Sequence, residues 1–243
     1  MKSCCSPART APALRGAAAL SFLAAMALLA GCSGSDARLA ALEAELSALR
    51  TQAQRAEDHL AIMNLQSIYG YYVDKSQWDH AADLFAKDAT LEIAGRGQFV
   101  GQDRIREYLH ALGPAEYGRL FNHLQLQPVI HVAEDGQSAR ARWRSFMQVG
   151  HLGKEARWGD AVYENEYVKE DGVWKIRKLH SFITFYVEYE RGWNKGAVPL
   201  PGHLENLEPD SDTTIRYGAF PEFFVPPYHY PNPVTGRTEI AGQ

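Results

Sequence analysis

IMNLQSIYGYYVDKSQWDHAADLFAKDATLEIAGRGQFV, residues 62–100, decides the fold. Ile62, Leu65, Ile68, Tyr69 and Tyr72 recur at helical spacing, so the stretch opens on a helix with one apolar, aromatic face. The helix breaks at Lys75-Ser76. Asp79 then reads as the N-cap of a second short helix, HAADLFA, whose Leu84 and Phe85 point inward. A strand, LEI, follows Asp88-Ala89-Thr90. Gly95-Arg96-Gly97 makes a hairpin turn that returns through Gln98-Phe99-Val100. The glycine spacing matches neither GxGxxG nor GxxxxGK, which argues against a phosphate loop. Asp74 ends the first helix beside Tyr69, Tyr71 and Tyr72, and an acid next to an aromatic run marks a candidate pocket.

Downstream, Asp103 opens the helix RIREYLHAL, which Gly113-Pro114 ends. Long strand-like runs then cover 121–132, 139–149, 160–169 and 173–186, with turns at Glu134-Asp135-Gly136 and Glu170-Asp171-Gly172. Alternation sets His123, Gln125, Gln127, Val129 and His131 on one face of the first run, provided no bulge intervenes. In the second run Arg140, Arg142 and Arg144 alternate with Ala141, Trp143 and Ser145, giving a wet face and a packed face. Helices first and an antiparallel meander afterwards is an α+β pattern: a curved antiparallel sheet packed on N-terminal helices. Glu92, out of phase with Leu91 and Ile93, reads as a solvated strand residue. His131 and His180 have no partner at metal-ligand spacing and read as structural, so no metal is expected.

Upstream, Lys2, Arg9 and Arg15 precede a 14-residue apolar run, Ala17 to Ala30. That run is short for a membrane span and right for a signal peptide. It ends in Leu29-Ala30-Gly31-Cys32, which resembles the lipobox of bacterial lipoproteins. Cys32 is then the lipidation site and the membrane anchor, and Ser33 after it implies the outer membrane, with the domain facing the periplasm. Cys4 and Cys5 are the only other cysteines. The domain therefore has no disulfide framework, thiolate metal cluster or cysteine nucleophile. A net charge of −4 with no Lys/Arg run argues against nucleic acid as a partner. Leu39, Leu42, Leu46, Leu49, Ala53, Ala56, Leu60 and Met63 follow a 3-4 spacing, the seam of a coiled-coil stalk that makes the protein a homo-oligomer. The alternative is an amphipathic helix packed on its own domain. From Gly192 onward eight prolines interleave with aromatics, which suits an ordered wrap over the domain or a neighbouring subunit rather than a disordered tail. The chain thus divides into a leader (1–31), a linker and heptad helix (32–59), a domain (60–191) and a Pro/aromatic tail (192–243).

YYVDKSQWDHAADLFAKDATLE (71–92), the GxxxIxxYL run ending at Leu109, Asn122-His123 and DGVWKI (171–176) together resemble the SnoaL-like branch of the nuclear transport factor 2 superfamily. The resemblance covers roughly Leu60 to Tyr189. It implies a cone-shaped sheet around a pocket, preceded here by the long helix, and a hydrophobic small molecule as ligand. Asp74 is similar in placement to the helix-end acid of scytalone dehydratase, and His123 to its first pocket histidine. The resemblance implies a cofactor-free dehydratase or isomerase in which Asp74 orients the His123 imidazole for proton transfer. Tyr69, Val73, Phe85, Phe121, Gln127, Trp143, Tyr163 and Phe182 would line the pocket, although most of these aromatics taken singly suit plain core. The sequence departs from the dehydratase at three points. Val73 replaces a tyrosine, a second histidine has no counterpart, and Tyr163 stands where an asparagine is expected. A non-catalytic ligand-binding or structural envelope lipoprotein is the alternative.

Overall fold

The computed structural model of the protein describes residues 17–240, with side chains from residue 35 onward. The leader 1–31 and Cys32 lie outside the residues whose side chains are described. The chain divides after residue 53 into two compact units.

Helix α1 spans Ala17–Asp74. In the first unit Leu39, Leu42, Leu46 and Leu49 are 48–56 % exposed, so among the described residues nothing covers the leucine stripe. Among the described residues no helix is long and apolar enough to cross a membrane.

In the second unit the last turns of α1 bury Ile62, Leu65, Tyr69 and Val73, the stripe that its spacing implies. Helix α2 (Trp78–Asp83) begins earlier than expected. Its N-cap is Gln77, which makes no side-chain capping bond. Asp79 sits in the first turn instead, where Arg106 (2.9 Å) and His110 (3.2 Å) reach it. Strand β1 (Phe85–Ile93) also starts earlier than LEI, because Phe85 finds a partner far along the chain, Ile176. Strand β2 (Gly97–Val100) closes the hairpin with Ile93 opposite Gly97. Helix α3 (Gln102–Ala111) precedes the long strands β3 (Arg119–Val132), β4 (Ser138–His151), β5 (Glu155–Glu170) and β6 (Val173–Glu188).

The six strands form one curved sheet in the order β2-β1-β6-β5-β4-β3. The class is α+β, but the sheet is mixed rather than purely antiparallel, since β1 and β6 run parallel. These two strands are joined by α3 and four further strands, not by a hairpin, so no tight turn forces an antiparallel pairing. Strand β3 is an edge, and its register breaks between Leu126 and Val129, with Gln127 at φ 48°. Pro128 cannot donate to a ladder, and a bulge on an edge strand accommodates it. The bulge corrects the simple alternation: Ile130 becomes the buried residue, while His131 points outward.

One sheet face carries Ala139, Ala141, Trp143 and Tyr163 into the core shared with α1, α2 and α3. Behind them a buried network fixes the middle of the sheet to α1. The Tyr167 hydroxyl donates to Gln66 Oε1 at 2.7 Å, and Trp143 Nε1 donates to the Tyr167 oxygen at 2.9 Å. The tail packs on the other face of its own chain. Phe220 N–H donates to Thr184 C=O at 2.8 Å, and Tyr217 stacks on Phe224 (4.2 Å) over Phe182. Glu92 accepts both the N–H (2.7 Å) and the hydroxyl of Thr214 and lies 3.3 Å from His180, so it is 1 % exposed, not solvated. His229 bridges Glu164 (2.8 Å) and His131 (2.9 Å). Arg142 is largely covered between Glu164 and the Tyr228 ring, with its side chain 12 % exposed, while Arg140 and Arg144 remain exposed. Thr214 and His229 come from the tail and His180 meets Glu92 across the β1–β6 pairing, so the partners of Glu92, His131 and His180 are all distant in the sequence.

Candidate functional site

Helix α1 and strand β3 bring Asp74 and His123 together. The approach is close because Gly70 has no side chain: a Cβ there would come within 2.8 Å of Gln125 Cγ and 3.4 Å of the His123 carbonyl. Side-chain amides complete the seam. Gln66 donates to Gln125 Oε1 at 2.9 Å, and Gln125 donates to the His123 C=O at 2.8 Å. Asp74 Oδ1 accepts the backbone N–H of His123 at 2.6 Å. The carboxylate therefore grips the main chain of β3. Among the described residues no hydrogen bond or ion pair joins it to the imidazole, whose Nδ1 is buried without a partner.

Burial pushes the Asp74 carboxyl above its ordinary value, opposed by the His123 N–H and by Lys75. Burial, and then the positive charge of Arg119, push the His123 imidazole down to about 4. At neutral pH the ring is uncharged and can accept a proton.

His123 stands in the wall of a cavity of about 240 Å³, together with Tyr69, Val73, Phe121 and Tyr163. The Phe121 ring lies 4.4 Å from the imidazole and is braced edge-on by Trp78, whose Nε1 donates to Gly113 C=O. The other candidates from the sequence lie elsewhere. Phe85 is core behind Tyr69 (5.9 Å). Trp143 belongs to the Tyr167 network. Phe182 stacks on His180 (4.0 Å) on the tail-covered face. Gln127 is exposed in the bulge.

The cavity is completed by residues that sequence reasoning missed: Tyr108 of α3, Arg96 of the β1–β2 turn, Arg157 of β5, and Ser181, Ile183 and Tyr186 of β6. Curvature of the sheet gathers them, and no local spacing announces it. The tail closes one side through Val198, Pro199 and Pro201, with Val198 N–H donating to Tyr186 C=O at 2.8 Å. Gly95 permits this closure. It sits at φ 76°, and a Cβ there would lie 2.0 Å from the Pro201 carbonyl. Burial raises the hydroxyls of Tyr69, Tyr163 and Tyr186, and pushes Tyr108 up to about 12. These groups are neutral hydrogen-bonding partners. Among the described residues no cluster of three His, Cys, Asp or Glu could hold a metal.

A curved sheet closed over helices around a cavity of mixed apolar and polar lining with one histidine defines a small-molecule pocket fold. Residues 54–180, just over half of the chain, match the SnoaL-like domain, and the chain belongs to that family. Hexachlorocyclohexane dehydrochlorinase 1 of Sphingobium indicum is 28 % identical over 144 residues, covering 54 % of this chain and 85 % of that protein. Among solved structures, a protein provisionally assigned as a scytalone dehydratase from Novosphingobium aromaticivorans aligns with a TM-score of 0.52 at 19 % identity, over 65 % of this chain and 99 % of that one. The LinA-type3 hexachlorocyclohexane dehydrochlorinase of Novosphingobium barchaimii aligns with a TM-score of 0.50 at 22 % identity, over 56 % and 93 %. These structural likenesses show the fold.

Proposed function

We propose that the domain is a cofactor-free lyase that eliminates a small leaving group from a hydrophobic cyclic molecule. The observation that carries this reading is the uncharged imidazole of His123 in the cavity wall, its Nδ1 buried without a partner among the described residues. His123 takes a proton from carbon. The C–H electron pair becomes the new C=C bond, and the leaving group on the adjacent carbon departs with its bonding pair, as halide or, after accepting the imidazolium proton, as water. Returning the proton to another carbon instead gives an isomerase. The names of the relatives, a dehydrochlorinase and a dehydratase, are both names of eliminations and support this class.

The test is to incubate the purified protein with hexachlorocyclohexane isomers and with cyclic β-hydroxyketones, reading chloride by ion chromatography and dehydrated product by mass spectrometry. Release from at least one group, at a rate proportional to enzyme, is the expected result. Saturable binding without any release in both groups would favour a second reading, a non-catalytic binding protein. One observation supports that alternative: Asp74 holds the main chain of His123 and not its ring.

We further propose that Cys32 carries a lipid anchor, which puts the domain on the envelope, and that the exposed leucine seam joins copies of the chain. Cys32→Ser is expected to move the protein from the membrane to the soluble fraction. In that soluble form, Leu42→Glu with Leu46→Glu is expected to reduce the mass measured by light scattering to that of one chain. An unchanged fraction or an unchanged mass would remove the corresponding proposal.

A further inference from the structure

Arg96 and Arg157 stand in the cavity wall without a counter-ion. Arg104, Arg106, Arg142 and Arg144 each lie beside a carboxylate. Among the described residues neither the Arg96 nor the Arg157 guanidinium makes a hydrogen bond or an ion pair, and the lining of the cavity contains no aspartate or glutamate. The two residues come from distant parts of the chain, the β1–β2 turn and the start of β5, and both positive charges act on the Tyr186 hydroxyl. Arg96 is partly buried and Arg157 is exposed, so the pair has an inner and an outer member. Much of the remaining wall is apolar, including Leu109, Leu112, Phe121, Val149 and Ile183. For the partly buried Arg96, a guanidinium without an opposite charge beside it is unfavourable in the empty protein, and an entering anion relieves this, with the exposed Arg157 adding a second positive charge at the outer side.

We infer that the ligand of this cavity is a small organic acid, an apolar ring body bearing one carboxylate that is held by Arg96 and Arg157. Arginine suits this role because its planar fork matches a carboxylate with two parallel hydrogen bonds. The apolar body then lies against the Phe121 side of the cavity, where His123 stands. This assignment rests on the proposed function only in taking this cavity as the ligand site, and it holds whether or not the bound molecule reacts.

The experiment compares 2-naphthoate with 2-naphthamide, similar in shape and differing in charge, by isothermal titration of the full chain. Wild-type protein is expected to bind the acid about tenfold more tightly than the amide, the difference that charge-assisted hydrogen bonds commonly supply. Arg96→Gln with Arg157→Gln is expected to abolish that preference without changing the thermal melt, since neither side chain has a protein partner to lose. His123→Gln is expected to keep the preference, so loss of turnover in that variant bears on the proposed reaction and not on the anion site. Equal affinity for the two probes, a preference that survives the double substitution, or no binding of either probe by folded wild-type protein would each overturn the inference.

Discussion

Asp58→Ala is expected to destabilise the domain by about 3–5 kcal/mol, the usual effect of removing one partner of a buried ion pair. Asp58 is 3 % exposed on α1, and its Oδ1 accepts from Lys169 Nζ (2.6 Å), Trp174 Nε1 (2.9 Å) and Gln54 Nε2 (3.2 Å). Losing the carboxylate strands the Lys169 ammonium, which is only 13 % exposed and lies 5.0 Å from the Trp174 ring. A thermal melt checks this: a drop of roughly 10 °C is expected for a domain of this size. Asp58→Leu with Lys169→Met is expected to recover most of the loss, because an apolar pair of similar volume can replace a buried ion pair. A single substitution that costs less than about 1 kcal/mol would refute this account. The consequence reaches the cavity. The contact pins α1 to β5 and β6 four turns before Asp74, so loosening it frees the helix that presents Tyr69, Val73 and Asp74.

The same pair sets a pH dependence. Burial pushes the Asp58 carboxyl up, but the hydrogen bonds from Lys169, Trp174 and Gln54 outweigh it and leave the value below the ordinary 3.8. The folded state therefore binds this proton less readily than the unfolded chain. Its stabilisation is complete above the unfolded value and is lost as pH falls through the lower folded one. His123 is depressed as well, to about 4, so its contribution is complete above the ordinary 6.5 and declines as pH falls towards 4. Acid lability beginning below neutrality thus belongs to His123, and a further loss in stronger acid to Asp58.

The α+β class was legible because the apolar periodicity of 62–73 and the alternation of β4 are local signals. The pairing of β1 with β6 was not legible, since it joins strands 88 residues apart, counted from Thr90 to its partner Lys178. Nor was the bulge at Gln127, although Pro128 on an edge strand is its cause and stands in plain view. At the site, Tyr69, Val73, Phe121, His123 and Tyr163 share one cavity. Phe85, Trp143 and Phe182 are equally aromatic, but their surroundings are the core, the Tyr167 network and the tail. Side-chain type marks what a pocket could use, whereas sheet curvature decides what it contains. Arg96 shows the limit: between two glycines it reads as a turn residue, and only the packing of the tail against Gly95 makes that turn a wall.

His123→Gln is expected to lower the rate of elimination by roughly a hundredfold to ten-thousandfold, the range of a general base. Glutamine keeps the backbone N–H that Asp74 accepts, so α1 and β3 should stay joined and the melt should change little. The pH profile is the sharper readout. With the imidazole at about 4 in the free protein, kcat/KM should rise on an apparent pKa near 4 and not near 6.5. Asp74 then separates two ways of serving the base. Asp74→Asn retains an oxygen that can accept the His123 N–H but has no charge. If Asp74 is a positioning residue acting through the main chain, Asn should keep most of the rate, while Ala should lose it together with thermal stability. If the carboxylate turns to the ring during turnover and stabilises the imidazolium, Asn should lose nearly as much rate as His123→Gln while melting like the wild type. The 2.6 Å bond to the backbone favours the first outcome. The buried, unpartnered Nδ1 leaves a hydrogen-bond position at the ring that the second would fill. A profile rising near 6.5, or full activity without the imidazole, would refute His123 as the base.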